Sequence, residues 1–146
     1  MNQKTRVIFL CTGNSARSQM AEAFLRHYGG ERYDAYSAGL EPKGINPYTL
    51  RVMEEIGFSM EGSSSKGVEV FLGKMLFQYL ITVCDSAEKN CPTMWPGVNQ
   101  RLHWSFEDPA AFEGSDEEKL AKFRQIRNQI EQKVLRWLSD DQPGMG

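Results

Sequence analysis

Segments rich in apolar and aromatic residues predict four strands, at residues 7–10, 33–38, 79–83 and 101–104. After the first of these, apolar positions recur with the spacing i, i+3, i+4, i+7 and i+8, at Met20, Ala23, Phe24, His27 and Tyr28. This spacing predicts a helix with one buried face. Strands that alternate with helices favour an α/β fold, in which a parallel sheet carries helices on both faces.

Three further helices are predicted along the chain. One begins at Pro47, a favoured residue for the first helical position, and runs through Ile56. A short one covers residues 70–77. The last begins at a capping box formed by Ser115 and Glu118, and its apolar positions continue at helical spacing almost to the end of the chain.

A loop that begins with a cysteine separates the first predicted strand from the first predicted helix. Gly13 and Asn14 tolerate the positive φ angles that a tight loop needs. Backbone N–H groups of such a loop and of the first helical turn lack intrahelical partners, so they can converge on an anion. We predict oxyanion binding by the residues that follow the cysteine, which are Thr12, Gly13, Asn14, Ser15, Ala16, Arg17 and Ser18.

Cys11 and Arg17 supply the chemistry of this loop. A thiol at a helix N-terminus near a guanidinium has a lowered pKa, so we expect Cys11 to be largely thiolate at neutral pH. The guanidinium fork of Arg17 matches two oxygens of a tetrahedral oxyanion, and Ser18 can donate a hydrogen bond to the thiolate. The pattern predicts a pocket for phosphate, arsenate or a similar anion above a nucleophile. The alternative is a buried cysteine that ends a strand beside a helix-capping loop.

The motif Cys11-x5-Arg17-Ser18, followed by Gln19-Met20-Ala21-Glu22, resembles the active-site loop of the low-molecular-weight protein tyrosine phosphatase family. It is closest to the branch that contains thioredoxin-coupled arsenate reductases. The resemblance implies one domain over residues 1–146, with a four-stranded parallel sheet in the order 2-1-3-4. The catalytic residues that it implies are Cys11, Arg17, Cys84, Cys91 and Asp108.

The composition fits such a domain and excludes some other classes. Hydrophobic residues make up 40% of the 146 residues and charged ones 25%, as in an ordinary globular protein. A net charge of −2 gives no electrostatic reason to expect a nucleic-acid or membrane partner. The start of the chain is unlike a secretory signal, so we expect a cytoplasmic protein, with residues 140–146 as a frayed tail.

The other two cysteines follow the third predicted strand. Cys84 ends that strand as Cys11 ends the first, and on the family's strand order the two strands are neighbours, ~4.8 Å apart. If the interval from Cys84 to Cys91 is helical, these two sulfurs are separated by ~10.5 Å along the helix axis, so a disulfide between them requires unwinding. Taken alone, both residues could be structural. A zinc site is disfavoured because His27 and His103 show no ligand pairing.

The resemblance assigns these thiols a relay, with arsenate as the substrate. Cys11 attacks arsenic and forms a covalent adduct. Cys84 then attacks Cys11, and arsenite leaves. Cys91 next attacks Cys84, which moves the disulfide to Cys84–Cys91, where thioredoxin reduces it.

Asp108 resembles the family's general acid, and Pro109 after it holds it in an extended conformation. Without the oxyanion loop, the same dipeptide would be read as a simple turn. Ala110 stands where the phosphatases usually carry a tyrosine against the aromatic ring of the substrate. Its small side chain favours a small inorganic substrate over phosphotyrosine.

Three residues, Asn14, Glu22 and Ser37, match positions that hold potassium in some of these reductases. Gly67 stands where the acidic residue completing that site would fall, so no metal site is predicted with confidence, and hydrogen bonds of a loop explain the three residues equally well. No cofactor is expected. We predict a monomeric arsenate reductase that is recycled by thioredoxin, with a low-molecular-weight protein tyrosine phosphatase as the alternative and a non-catalytic redox sensor as a third class.

Overall fold

The computed structural model describes residues 4–71, 73–90 and 96–140. In chain order, the strands and helices are β1 Thr5–Cys11, α1 Arg17–Gly29, β2 Tyr33–Gly39, α2 Pro47–Glu54, β3 Phe77–Thr82, α3 Asp85–Asn90, β4 Val98–His103 and α4 Asp116–Asp140. Short 3-10 helices lie at Gly30–Arg32, Val68–Val70 and Pro109–Ala111. No helix among these described residues is long and apolar enough to cross a membrane.

The four strands form one parallel sheet in the order β2-β1-β3-β4, which confirms the predicted topology. In the register of the sheet, Cys11 pairs with Gly39 of β2, and Leu10 pairs with Thr82 of β3. The chain therefore reverses its direction of winding between β1 and β3. Loops at the carboxyl ends of two such strands meet at one crevice, where open α/β sheets bind ligands.

Helices cover both faces of the sheet, as predicted. On one face, α1 and α4 pack together, and Trp137 of α4 contacts Tyr33 and Tyr79 of the sheet. On the other face, α3 packs against β1 and β3, and Phe71 contacts Tyr36 of β2. The middle of β1 is fully buried between these layers, because a parallel strand covered on both faces has no side open to water.

The buried stripe of α1 is rotated from the predicted one. Met20 and Phe24 are fully buried as expected, together with Ala21 and Leu25. His27 and Tyr28, which the spacing placed on the buried face, are exposed instead. Residues i, i+1, i+4 and i+5 of α1 therefore face α4 and the sheet. His27 and Tyr28, near the end of this helix, lie outside the core.

The predicted helix over residues 70–77 was wrong. A 3-10 turn occupies Val68–Val70, and Gly73 adopts a φ of 76°, a left-handed conformation that stops a helix. Phe77 then begins β3, two residues earlier than predicted, and its N–H donates to the Gly97 carbonyl at 2.7 Å.

Smaller differences concern the ends of elements. Helix α2 ends at Glu54 rather than Ile56, because the following residues form tight turns up to Gly57, which has a φ of 86°. Strand β4 begins at Val98, three residues before the predicted start at Arg101. The capping box is present, since Ser115 N–H donates to Glu118 at 2.8 Å and Glu118 N–H donates back to the Ser115 hydroxyl at 3.1 Å. A frayed tail was predicted for residues 140–146, and the part of it that follows Asp140 lies outside the described residues.

Candidate active site

Every carbonyl group of the loop between β1 and α1 accepts a hydrogen bond. Those of Cys11, Thr12, Gly13 and Ser15 accept from the backbone N–H groups of Leu40, Glu41, Lys43 and Asn46, and that of Asn14 accepts from the Gln19 side chain. Across a trans peptide, a carbonyl and the next N–H point in opposite directions. The N–H groups of residues 13–16 therefore point away from these partners, and no described group accepts a hydrogen bond from them. They remain available to bind an anion, as the sequence analysis predicts.

Asn14 is the residue that shapes the loop. It has a φ of 49° and is fully buried. Its side-chain amide donates to the Ser18 hydroxyl at 2.8 Å, and its carbonyl oxygen accepts from the Lys66 N–H at 2.9 Å. Gly13, which was expected to share the positive φ, does not adopt it. A left-handed residue is needed only once in this loop, and Asn14 supplies it with a side chain that fixes the surrounding chain.

Arg17 is held at one end of its guanidinium. Its Nη1 donates to the Phe106 carbonyl at 3.1 Å, while Nη2 lies 3.7 Å from Asp108 Oδ2. Nε is buried and has no partner among the described residues. Ala16, just before α1, provides no side-chain cap for the first helical amides. The Nε–Nη2 edge of Arg17 and the uncapped N-terminus of α1 therefore both remain available to bind an oxyanion.

The thiols of Cys11 and Cys84 are buried and free, and the Thr12 hydroxyl beside Cys11 lies 3.6 Å from the Cys84 sulfur. Hydrogen bonding to Cys84 is the largest cause that raises the pKa of Cys11, ahead of burial, while Arg17 opposes it. The same bond lowers the pKa of Cys84 to about 5. The pair therefore titrates together, with Cys84 as the more acidic of the two thiols. The expectation of a lowered pKa at Cys11 was wrong for this state, because the second thiol competes for the proton.

Cys84 is stabilised as a thiolate by its surroundings as well. The Thr12 hydroxyl lies 3.6 Å from its sulfur, and the Ala87 N–H donates to that sulfur at 3.4 Å. Cys84 thus precedes α3 as its N-terminal cap. The interval after Cys84 is helical from Asp85 to Asn90, as the sequence analysis had considered.

Asp108 lies across the cavity from the thiols. Its Oδ1 accepts from the Ala110 N–H at 3.0 Å, which caps the 3-10 helix that starts at Pro109. Its side chain is 45% exposed, so the carboxyl is open to the cavity and to solvent. The neighbouring Glu107 is bound to Lys122 of α4 at 2.8 Å, which attaches this loop to the body of the protein.

One cavity of about 900 Å³ joins these groups; four of the five predicted catalytic residues line it, namely Cys11, Arg17, Cys84 and Asp108. The fifth, Cys91, lies outside the described residues. Of the predicted oxyanion-binding residues, Asn14 and Ser18 are buried behind the cavity and support its lining. No hydrogen bond from Ser18 to Cys11 is present among the described residues.

The sequence analysis missed one residue that lines this cavity and one that supports its loop. The exposed side chain of Lys43 lies over Gly13 and lines the cavity, where it adds a positive charge. The Ser65 hydroxyl donates to the Gly13 carbonyl at 3.1 Å and so supports the loop. Neither belongs to a motif, because both lie in loops distant in sequence from Cys11.

The comparison with protein families decides the classification of this site. The family model described as low molecular weight phosphotyrosine protein phosphatase matches residues 6–142. This chain belongs to the low molecular weight phosphotyrosine protein phosphatase family. Within the family, an arsenate reductase of Halalkalibacterium halodurans is 42% identical over 134 residues, which cover 92% of this chain and 94% of the relative.

Two solved structures of similar proteins extend this comparison. The structure described as "An arsenate reductase in the phosphate binding state" has a TM-score of 0.77 and 30% identity, and the match covers 93% of this chain and 98% of that one. A thioredoxin-dependent arsenate reductase of Corynebacterium glutamicum has a TM-score of 0.58 and 27% identity, with 90% of this chain and 62% of that chain covered. Members of the phosphatase family that are similar to this chain thus include arsenate reductases.

The possible cation site of the phosphatase family is built differently here. Asn14 donates to the Ser37 hydroxyl at 2.9 Å, and Ser37 in turn donates to Glu22, so the three predicted residues do lie together. Glu22, however, forms an ion pair with Arg26. Gly67 pairs with Gly39 and offers no side-chain ligand. Among the described residues no cluster of potential metal ligands is found, and an arginine side chain provides the positive charge beside Glu22.

Proposed function

We propose that this chain is an arsenate reductase that uses Cys11, Cys84 and Cys91 as a thiol relay and is recycled by thioredoxin. The observation that carries this proposal is that two free thiols, Cys11 and Cys84, lie at the ends of neighbouring strands and line one cavity at the oxyanion loop. A phosphatase needs one nucleophile in that place, whereas a reductase needs a second sulfur able to take over the bond. The arsenate reductases among the relatives support the same activity.

The first step joins arsenate to Cys11. The loop N–H groups and the Nε–Nη2 edge of Arg17 bind the oxyanion. The Arg17 guanidinium favours the thiolate form of Cys11, so the proton of Cys11 passes to the Cys84 sulfur and leaves Cys11 as the nucleophile. The Cys11 thiolate attacks arsenic, and Asp108 donates a proton to the departing oxygen, which leaves as water.

The second step reduces arsenic from the +5 to the +3 state. Cys84 releases its proton to solvent and its thiolate attacks the sulfur of Cys11; the electron pair of the S–As bond passes to arsenic, and arsenite leaves. The Cys11–Cys84 disulfide then holds the two oxidised sulfurs. Thr12 and the Ala87 N–H support the thiolate that performs this attack.

The final steps restore the enzyme. The Cys91 thiolate attacks Cys84, releases the Cys11 thiolate and forms a Cys84–Cys91 disulfide. A thioredoxin dithiol supplies the two electrons that reduce this disulfide, which balances the two taken up by arsenic. Such a cycle needs a reducing compartment, and the cytoplasm predicted from the sequence would provide one.

The cavity also supports a second candidate, phosphatase activity. At about 900 Å³ it is far larger than an inorganic oxyanion, and it includes apolar residues such as Ile45 and Phe106 that could contact an aromatic leaving group. The same loop and the same nucleophile would form a cysteinyl-phosphate. Ala110 on its rim lacks the ring that the phosphatases place against phosphotyrosine.

Coupled turnover tests the proposal. The protein is incubated with arsenate, thioredoxin, thioredoxin reductase and NADPH, and the loss of NADPH is followed. We expect arsenate-dependent consumption that disappears in the Cys11→Ser, Cys84→Ser and Cys91→Ser variants. With Cys84→Ser, a single burst of arsenate binding without arsenite release is expected, because the adduct forms but no second sulfur attacks it.

A parallel assay with an aryl phosphate separates the two candidates. If the Cys84→Ser and Cys91→Ser variants hydrolyse it as the unmodified protein does, and arsenate never supports NADPH loss, the protein is a phosphatase and the reductase proposal is wrong. Arg124→Lys, a conservative change on the exposed face of α4, serves as the control for general effects of mutation.

A further inference from the structure

Helix α3 is fastened to the sheet by a group of polar contacts outside the oxyanion loop. They join two acidic residues of α3 to side chains at the ends of β3 and β4. We call this group the α3 strap; its members are Thr82, Asp85, Glu88, Arg101, His103 and Ser105. The thiol relay proposed above needs α3 to unwind, so these contacts lie at the segment that has to move.

The buried half of the α3 strap centres on Thr82. Its hydroxyl is fully buried and lies 2.7 Å from Glu88 Oε1 and 2.8 Å from His103 Nδ1. Arg101 donates to the Glu88 carbonyl at 3.1 Å and also lies 3.5 Å from its carboxylate. Glu88, near the end of α3, thus contacts side chains of both β3 and β4.

The other half of the α3 strap holds the first residue of α3. Asp85 Oδ1 lies 2.9 Å from His103 Nε2 and accepts from the Ser105 hydroxyl at 3.0 Å. Hydrogen bonds from His103 and then Ser105 hold the pKa of Asp85 below its usual range. Because Asp85 follows Cys84 directly, this contact also fixes the helix end whose Ala87 N–H binds the Cys84 sulfur.

The hydrogen bonds of the Thr82 hydroxyl connect the two halves of the α3 strap. A hydroxyl has one proton, and a carboxylate can only accept, so the Thr82 proton goes to Glu88 and His103 Nδ1 donates to the Thr82 oxygen. His103 in turn contacts Asp85 through Nε2, so the Thr82 and His103 side chains connect Glu88 to Asp85 across the strap.

We propose that the α3 strap, through Thr82 and His103, holds α3 in its helical conformation and so determines how readily the disulfide passes from Cys84 to Cys91. This inference rests on the relay described under the proposed function, and it makes Thr82 and His103 positioning residues that act through α3. A helix of six residues is marginal alone, so contacts to the sheet supply most of what keeps it folded. Breaking the strap favours the unwound, disulfide-bonded form.

The test uses the Cys11→Ser variant, in which Cys84 and Cys91 are the two thiols that remain. Thr82→Val and His103→Gln are introduced separately, with Thr5→Val and His27→Gln as controls at a strand threonine and at the chain's other histidine. Hydrogen exchange of the amides of residues 87–90 is measured on the reduced protein, and the reduction potential of the Cys84–Cys91 couple is measured against glutathione. Neither measurement needs arsenate.

We expect Thr82→Val and His103→Gln each to speed exchange in α3 by about tenfold, as for the loss of one hydrogen bond to a charged group. The disulfide should become about tenfold harder to reduce, which is about 30 mV for a two-electron couple. In the three-cysteine protein, the KM for arsenate should not change. The two controls should behave as the parent.

Three results would overturn the inference. If exchange in α3 is unchanged, the strap does not hold the helix. If exchange rises but the potential stays constant, the strap is structural and does not influence the relay. If no Cys84–Cys91 disulfide forms in any variant, the relay itself is wrong and the inference falls with it. If both quantities shift and arsenate is still not reduced, the strap stands and only the proposed substrate is wrong.

Discussion

At the scale of single residues, the site depends on how one proton is divided between two sulfurs. Cys11 has the backbone lining and the Arg17 guanidinium, yet its pKa is raised because Cys84 takes the negative charge. Cys84 has the Thr12 hydroxyl and the Ala87 N–H, which keep its pKa low. The proposed relay needs Cys11 as the thiolate in its first step and Cys84 as the thiolate in its second. The same pair can therefore supply a nucleophile to the substrate first and to the adduct afterwards.

The thiolate of Cys84 gives a prediction for pH dependence. Its pKa of about 5 means that one equivalent of thiolate persists as the pH falls from neutrality and is lost near pH 5. Thr12→Val removes a hydrogen bond that lowers this pKa, so the midpoint of iodoacetamide alkylation should move to higher pH. A rise of one pKa unit would lower the rate at pH 5 by about fivefold. Thr5→Val, at the start of β1, is the control, and an unchanged midpoint in Thr12→Val would show that the hydroxyl does not act on the thiolate.

At the scale of elements, the oxyanion loop keeps its shape because strand β2 ends against it. Gly39 closes that strand opposite Cys11. A Cβ atom there would lie 2.7 Å from the Thr12 carbonyl oxygen and 2.8 Å from the Asn14 N–H nitrogen, both of them backbone atoms that cannot turn aside. The loop and the strand end are therefore packed as one unit.

Gly39→Ala should thus damage both stability and the anion site. Overpacking of this kind costs about 1–3 kcal/mol in free energy of unfolding, measured with urea. Phosphate binding, measured by calorimetry, should weaken by at least tenfold because the Thr12 and Asn14 backbone must shift. Gly67→Ala is the matched control: Gly67 pairs with Gly39, but a Cβ there meets only the Glu69 carboxylate, which can rotate away. Equal losses in the two variants would contradict this explanation.

At the scale of the whole molecule, α2 and α4 enclose the side of the sheet that carries the oxyanion loop. Their contact includes Arg127, whose side chain is buried and donates to the Val52 carbonyl at 2.8 Å and to Glu55 at 3.0 Å. Helix α2 in turn supports the loop, since Thr49 donates to the Ser15 carbonyl. The terminal helix thus stabilises the site without touching its chemistry.

Arg127→Met is expected to lower the free energy of unfolding by about 1–3 kcal/mol, because the buried Val52 carbonyl loses its partner. Arg124→Met, which removes an exposed arginine from the same Glu55, should change it little. Arg124 and then Arg127 hold the pKa of Glu55 below its usual range, so this carboxylate adds stability above its ordinary pKa and the benefit is lost as the pH falls through the lowered one. Urea unfolding at pH 7 and near pH 4 measures both effects, and equal losses from the two arginines would contradict them.

The sequence by itself determined the local parts of this protein. The oxyanion loop, helix α1 after it and the capping box at Ser115 depend on neighbours within a few residues, and so does β1, whose apolar segment is continuous. Composition and the spacing of apolar residues suffice for these. The helix predicted over residues 70–77 failed where local propensity was weak and the packing of Phe71 and Phe77 against Tyr36 decided instead.

Only the tertiary structure decided how the distant parts meet. The pairing of β1 with β3 brings Cys84 to Cys11, and no pattern within either strand specifies that neighbour. Lys43 reaches the cavity, and His103 reaches Asp85, through folding of the chain and not through any motif. The charge of each thiol follows from this assembly as well, because a pKa depends on which groups surround the sulfur in space.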